Sequence, residues 1–455
     1  MKHSAWYWLA LSSVLLGLLA QAETRPQYGG TLRMMMHAAP GTLDPAEGKF
    51  PDSFARRTVT SLLFDTLVFR TEGGRSTPGL ADSWQAARAN QRWQFRLRHG
   101  VKFHDGTPLS SEIVAASLRV ANPTWSVRPD GDSVIIDCDE PNPEMLAELT
   151  LPRNAIVKRD GEEKVSGTGP FHVVDWQPGK KLTLSAEEDC WRGRPFLDGI
   201  EIEMGRGFRD QATALEVGRA DLIEVAPEQS HHSSPSRGRL VSSAPVELMA
   251  LVFGREFSSP DEKLLREALG LSVERGSMQS VLLQGAGQPA GGLLPTWISG
   301  FGFVFSSNAD LQKARQLRNQ VQTVRVWTVG YDASDPLARL LAERVALNAK
   351  DAGLSLVPTA VGATDLRLTR IPLASTDPWI ALSGIAAEVG LPKVKMNGGS
   401  IEEIFAAEQA ALASERLVPL FHLPVFCAAS SNLKNWILRA DGSLDLTNAW
   451  LEAAK

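Results

Sequence analysis

The chain carries 52 acidic residues, 8 histidines and 3 cysteines, the side chains from which acid–base catalysis, nucleophilic attack and metal ligation are built. Their spacing assembles none of the familiar devices. There is no G-x-S-x-G elbow, no H-E-x-x-H helix and no Walker lysine loop, and Gly285-Ala286-Gly287-Gln288-Pro289 puts a proline where a dinucleotide fingerprint would open a helix. His99 and His104 flank a strand and a turn with no sequence-specified partner, which predicts structural hydrogen bonding. His231 and His232 adjoin in a polar stretch, Glu228 to Arg237, with no third ligand at a usable spacing. Cys138, Cys190 and Cys427 form no C-x-x-C pair and permit at most one bridge, so free, partly buried thiols are expected. The carboxylates are plentiful but scattered, which leaves a two-carboxylate hydrolase unsupported. The expectation is a protein that is not an enzyme and has no metal site and no cofactor.

At 455 residues the chain is long enough for two or three domains. Hydrophobic residues make up 43% and charged residues 22%, an ordinary folded, soluble composition. Forty-seven basic against 52 acidic residues give a net charge of −5 without blocks of like sign, which excludes the footprint of a nucleic-acid binder. Residues 1–22 differ from the rest: Lys2 and His3 precede an apolar run from Ala5 to Ala20, and Ala20-Gln21-Ala22 ends it with small residues. This is the pattern of an export signal cleaved after Ala22. With no cysteine available as a lipid anchor, a free periplasmic protein is expected. No later stretch is long and apolar enough to span a bilayer, and no repeat is found.

Strands alternate with helices. Gly30 to Met36 reads as a buried strand ended by the Ala39-Pro40-Gly41-Thr42-Leu43-Asp44-Pro45 loop. Trp93 to Leu97 alternates as a half-buried strand, with Gly100 to Phe103 continuing it after a turn; Ser110 then caps a helix carrying Ile113, Val114 and Leu118. In the second half, Val324 to Val329 is a strand, Ser334-Asp335-Pro336 starts a helix, Gly353 stops it, and Leu354 to Pro358 returns as a parallel strand. The loop from Gly330 to Asp335 is then either a cap or one wall of a cleft.

Several stretches resemble, in order, the family 5 extracellular solute-binding proteins, the peptide- and nickel-binding subunits of ABC importers. They are Tyr28-Gly29-Gly30-Thr31-Leu32 with Thr42-Leu43-Asp44-Pro45, Leu80 to Trp84, Trp93 to Arg98 leading into Gly100 to Leu109, Gly167-Thr168-Gly169-Pro170-Phe171, and Trp191 to Pro195. Leu265 to Leu269 and Gly287 to Ala290 hold the family's second-lobe positions. The resemblance implies an α/β fold of the type II periplasmic-binding-protein kind, two lobes joined by a hinge with an extra subdomain in lobe one. The expected bounds are lobe I over 23–248 with the insertion at 61–167, lobe II over 249–423, and a return to lobe I over 424–455. Crossings are expected at Leu248 to Phe253 and Val418 to Val425.

The implied function is that of a periplasmic receptor that captures a peptide or similar small solute between its lobes and delivers it to the permease subunits of an ABC importer, acting as a monomer. Met36 and His37 at the end of the first strand, Asp44 in the next loop and Gly169 in the Gly-Thr-Gly-Pro turn are the expected ligand contacts of lobe I. Trp297 and Trp379 would offer apolar faces from lobe II, and Asp377 a charge for a cationic or amino group. Between Asp365 and Gly390 only Asp377-Pro378-Trp379 resembles part of a stretch that is longer in the family. That shortening leaves open an alternative, a member serving as scaffold, chaperone or sensor without transport.

Overall fold

The computed structural model describes residues 25–47, 53–71, 73–161, 164–230, 238–323, 325–392, 394 and 399–452. The expected export segment, the His231–His232 pair and Val324 lie outside the described residues.

Lobe I is built on the strand Thr31–Met35, which runs parallel to Gly199–Glu203 on one side and Leu222–Val225 on the other. Leu32, Met34 and Met36 are buried, the period-2 signature of one face turned to a core. Lobe II repeats the parallel logic: Val326–Gly330 pairs Ser355–Thr359 and Leu366–Pro372, with the helix Pro336–Asp351 as the crossover. Asp335 starts that helix by accepting from the Leu337 and Ala338 amides at 2.9 and 3.2 Å.

Two long strands, Gly238–Phe253 and Leu417–Ser430, pass through both lobes and weld them into one 11-stranded mixed sheet. They pair antiparallel from Gly238 opposite Ser430 to Val252 opposite Leu417, and the register breaks between Ser242 and Glu247. At the break Pro245 faces Pro424. Neither proline can donate to the ladder, so regular pairing lapses there, and the Ser243 hydroxyl takes up the Val425 amide at 2.9 Å instead. This break in the ladder falls at Ser242 to Glu247, upstream of the Leu248 to Phe253 expected for the first crossing.

The inserted subdomain is a four-stranded antiparallel sheet in the order Ala81–Ala87, Arg92–Leu97, Ser133–Asp137, Ser126–Asp130. The helix Ser111–Ala121 buries Val114 and Leu118 among Phe95 and Ile136. Phe64 and Val157 belong to the lobe I core, whereas Leu67 and Ile156 belong to the subdomain's own. Core membership thus changes from lobe I to the subdomain after Phe64 and changes back by Val157. Beyond Arg92–Leu97, the expected strand at Gly100 to Phe103 is only a bridge between Lys102 and Pro108.

The Ser110 side chain accepts from the Ile113 amide at 3.4 Å. Ser110→Ala is expected to cost about 1 kcal/mol in chemical denaturation; no measurable loss would mean the long contact contributes nothing.

Candidate functional site

Between the lobes lies a cavity of about 600 Å³. Its lobe I wall is the helix Phe54–Leu63, through Arg57, Thr60, Ser61 and Leu62, with the segment from Phe64 to Thr71 that follows it. Arg439, Asp441 and Ser443 of the C-terminal return close one side. Lobe II contributes Ile298 and the loop Leu373 to Thr376, and Val246 lines it from the break in the ladder of the two long strands.

The wall is held up from behind. Ser53 caps the helix, accepting from the Arg56 amide at 3.2 Å, and Gly167-Thr168-Gly169 packs beneath the helix's last turn. The Gly169 amide donates to the Leu63 carbonyl at 3.0 Å, and a Cβ on Gly167 would lie 1.9 Å from the Leu63 oxygen. Only glycine fits so close an approach. His104 clips the turn from the far side: its Nδ1 accepts from the Gly167 amide at 3.4 Å, which leaves Nε2–H to donate to the Gly169 carbonyl at 3.0 Å. Burial holds this imidazole below its ordinary pKa, consistent with the neutral tautomer and with a structural role.

Asp65, 2% exposed, sits where the helix wall meets the subdomain. Its Oδ2 accepts from the Thr168 hydroxyl and the Trp191 indole, each at 2.9 Å, and its Oδ1 pairs with Arg192 at 3.0 Å. Arg192 in turn lies over the Phe69 ring at 5.5 Å.

Four guanidinium groups border the cavity, and three are engaged. Arg57 donates across the cleft, to the Asp441 carbonyl of lobe I at 3.1 Å and the Leu373 carbonyl of lobe II at 2.8 Å. Arg192 holds Asp65, and Arg439 holds Asp445 at 2.5 Å. Arg70 differs. Its nearest carboxylate, Asp377, stands 4.0 Å away at the limit of an ion pair, and its Nε is buried without a hydrogen-bond partner.

The family model for bacterial extracellular solute-binding proteins, family 5 (middle region), matches residues 75–392. The chain belongs to that family. Family 5 consists of solute-binding proteins, not enzymes. A nickel-binding protein, NikA of Staphylococcus aureus, is 27% identical over 209 residues, 43% of this chain and 43% of that protein; the match thus spans less than half the length of this curated relative. Among solved structures, DppA of Helicobacter pylori with the peptide STSA superposes with a TM-score of 0.82 at 18% identity, covering 94% of this chain and 99% of that one. AgaA of A. tumefaciens R10 with agropinic acid gives 0.79 at 19%, covering 94% and 99%. These likenesses establish the two-lobed type II fold.

In this family 5 chain the residues expected to touch ligand stand elsewhere than on the cavity wall. Met36 is fully buried in the lobe I core, because the strand's alternation carries one residue past its end. His37 stacks on Phe208 with 4.4 Å between ring centroids, and its amide donates to Glu224 at 3.2 Å. Asp44 is taken up by a bidentate pair with Arg159 at 2.6 and 2.7 Å. Gly169 supports the wall from beneath. Trp297 donates its indole N–H to the Pro245 carbonyl at 2.8 Å, leaving its neighbour Ile298 to face the cavity. Trp379 is buried in the second lobe II core. Asp377 caps the helix Pro378–Glu388, accepting from the Trp379 and Ile380 amides at 3.0 and 3.2 Å.

The loop from Gly330 to Asp335 faces the hinge. There Arg370 reaches from Leu366–Pro372 to Asp335 at 2.9 Å and Glu247 at 3.8 Å, and burial pushes the neighbouring Glu224 carboxyl up to about 8. Asp65, Arg70 and Arg192 are the site residues that sequence reasoning missed. The available signal was the pair of charges, Asp65 and Arg70, in the otherwise uncharged run Phe64-Asp65-Thr66-Leu67-Val68-Phe69-Arg70, since a charge in an apolar run is retained only with a partner or a ligand.

Proposed function

We propose that this family 5 protein is the periplasmic receptor of an ABC importer, that it closes its two lobes around a small carboxylate-bearing solute, and that Arg70 anchors the carboxylate. The observation carrying the reading is Arg70 on the wall of an inter-lobe cavity, with its Nε lacking a hydrogen-bond partner and Asp377 only at the 4.0 Å limit of an ion pair. A buried Nε–H without an acceptor is costly, and a planar carboxylate is the acceptor that matches an arginine fork. The cavity volume of about 600 Å³ falls in the range of small-molecule sites, which favours a receptor over a scaffold with a collapsed cleft. Among the described residues no three His, Cys, Asp or Glu side chains gather as metal ligands, so an organic anion or a chelate suits the cleft better than a bare cation.

The test is a thermal-shift and calorimetric screen of the exported protein against agropinic acid, the nickel–histidine chelate, the tetrapeptide STSA and neutral sugars. A carboxylate-bearing probe is expected to bind, and Arg70→Gln to weaken that binding by about tenfold to a hundredfold. An affinity unmoved by Arg70→Gln, or binding confined to neutral sugars, would refute the anion assignment.

A further inference from the structure

Beside the cavity, lobe II and the inserted subdomain meet directly at an apolar contact. Ala147 and Leu151 of the subdomain bury themselves against Ile380 of the helix Pro378–Glu388, with Ala374 alongside. At this apolar seam two carboxyl groups from opposite lobes come within hydrogen-bonding contact: Glu144, just before the short helix Met145–Glu148, and Asp377, the cap of Pro378–Glu388. Among the described residues the cation beside them is Arg70 of the strand Val68–Arg70, 4.0 Å from Asp377, and Glu148 adds a further acidic group from the subdomain.

Two carboxylates sharing so little positive charge cannot both stay ionised, so one of them keeps a proton. Asp377 is already the acceptor of two backbone amides. Glu144 is left as the donor. We propose that Glu144 and Asp377 form a proton-operated latch, in which protonated Glu144 donates to Asp377 across the seam and holds the lobes closed, and loss of that proton sets two like charges face to face and releases them. The latch rests on the solute-receptor reading only in taking lobe closure as the binding motion.

The direction of the linkage follows from the seam. Burial first, and then Asp377, push the Glu144 carboxyl up to about 7 in the closed form, from the ordinary value of 4.5 to which opening into water returns it. The closed form therefore holds the extra proton. Its advantage is complete below the open-state value and disappears as pH rises through the closed-state value.

Small-angle X-ray scattering of the solute-free protein reads closure directly. At about pH 5 a radius of gyration near the compact expectation of roughly 22 Å is expected, with a larger value at about pH 8. Glu144→Gln, whose amide donates to Asp377 at any pH, is expected to stay compact at both, and Asp377→Asn, which can still cap its helix, to lose the pH response too. A thermal melt of each variant confirms that it is folded. Equal dimensions of the wild-type protein at the two pH values, or a Glu144→Gln variant that opens as wild type does, would overturn the latch. Because no solute is present, that failure leaves the receptor reading intact, whereas failure of the Arg70→Gln binding test leaves the latch intact.

Discussion

Asp65→Ala is expected to cost about 3–5 kcal/mol of stability, the loss that follows when one member of a buried ion pair is removed and the other stays behind. Asp65 is 2% exposed and joins three segments distant in sequence: its own, Thr168 of the glycine turn, and Trp191 with Arg192. Alanine strands the Arg192 guanidinium and leaves the Trp191 indole and Thr168 hydroxyl without their acceptor, each at a desolvation cost. Asp65→Asn keeps one acceptor oxygen but removes the charge, so a smaller loss is expected than for alanine. Urea unfolding of the three proteins measures this ordering. A loss below about 1 kcal/mol for Asp65→Ala would mean that water replaces the carboxylate and that the group is not the keystone of the wall.

The same residues mark where the sequence stopped being informative. Local rules made several elements legible: Ser110 and Asp335 both cap helices, and the strand pair around Pro336–Asp351 is parallel as its crossover helix demands. The family stretches carried the two-lobed plan, and some of them are turns that tolerate few residues, as at Gly167-Thr168-Gly169. The cavity was not legible. Its wall gathers the helix Phe54–Leu63, Arg192, Val246, Ile298, Leu373 to Thr376 and the segment Ile437 to Thr447, positions far apart in sequence that only the folded chain brings together. Proximity to a strand end misled for Met36, since the alternation that buries Leu32 and Met34 buries Met36 as well. At Asp377-Pro378 the acidic residue before proline is itself the local signal of a helix start, and the structure uses it so. A second use, against Glu144, required knowing that lobe II touches the subdomain there.

Gly167→Ala is expected to cost about 3 kcal/mol or more, at the upper end for overpacking because the obstacle is main chain and not a side chain that can rotate away. A Cβ at position 167 meets the Leu63 oxygen at 1.9 Å and its carbonyl carbon at 2.8 Å. Relief requires moving either the glycine turn or the last turn of Phe54–Leu63. The turn is pinned by His104 through the Gly167 amide and carbonyl and the Gly169 carbonyl, so the helix must give. That helix carries Thr60, Ser61 and Leu62 on the cavity wall and Arg57, whose Nη2 reaches the Leu373 carbonyl of lobe II at 2.8 Å. The variant should therefore weaken solute binding as well as stability, whereas Ser110→Ala, remote from the wall, should lower stability alone. Parallel unfolding and binding titrations of the two variants separate these outcomes. Unaltered binding by a destabilised Gly167→Ala protein would show that the strain is absorbed in the turn, and that the wall does not depend on it.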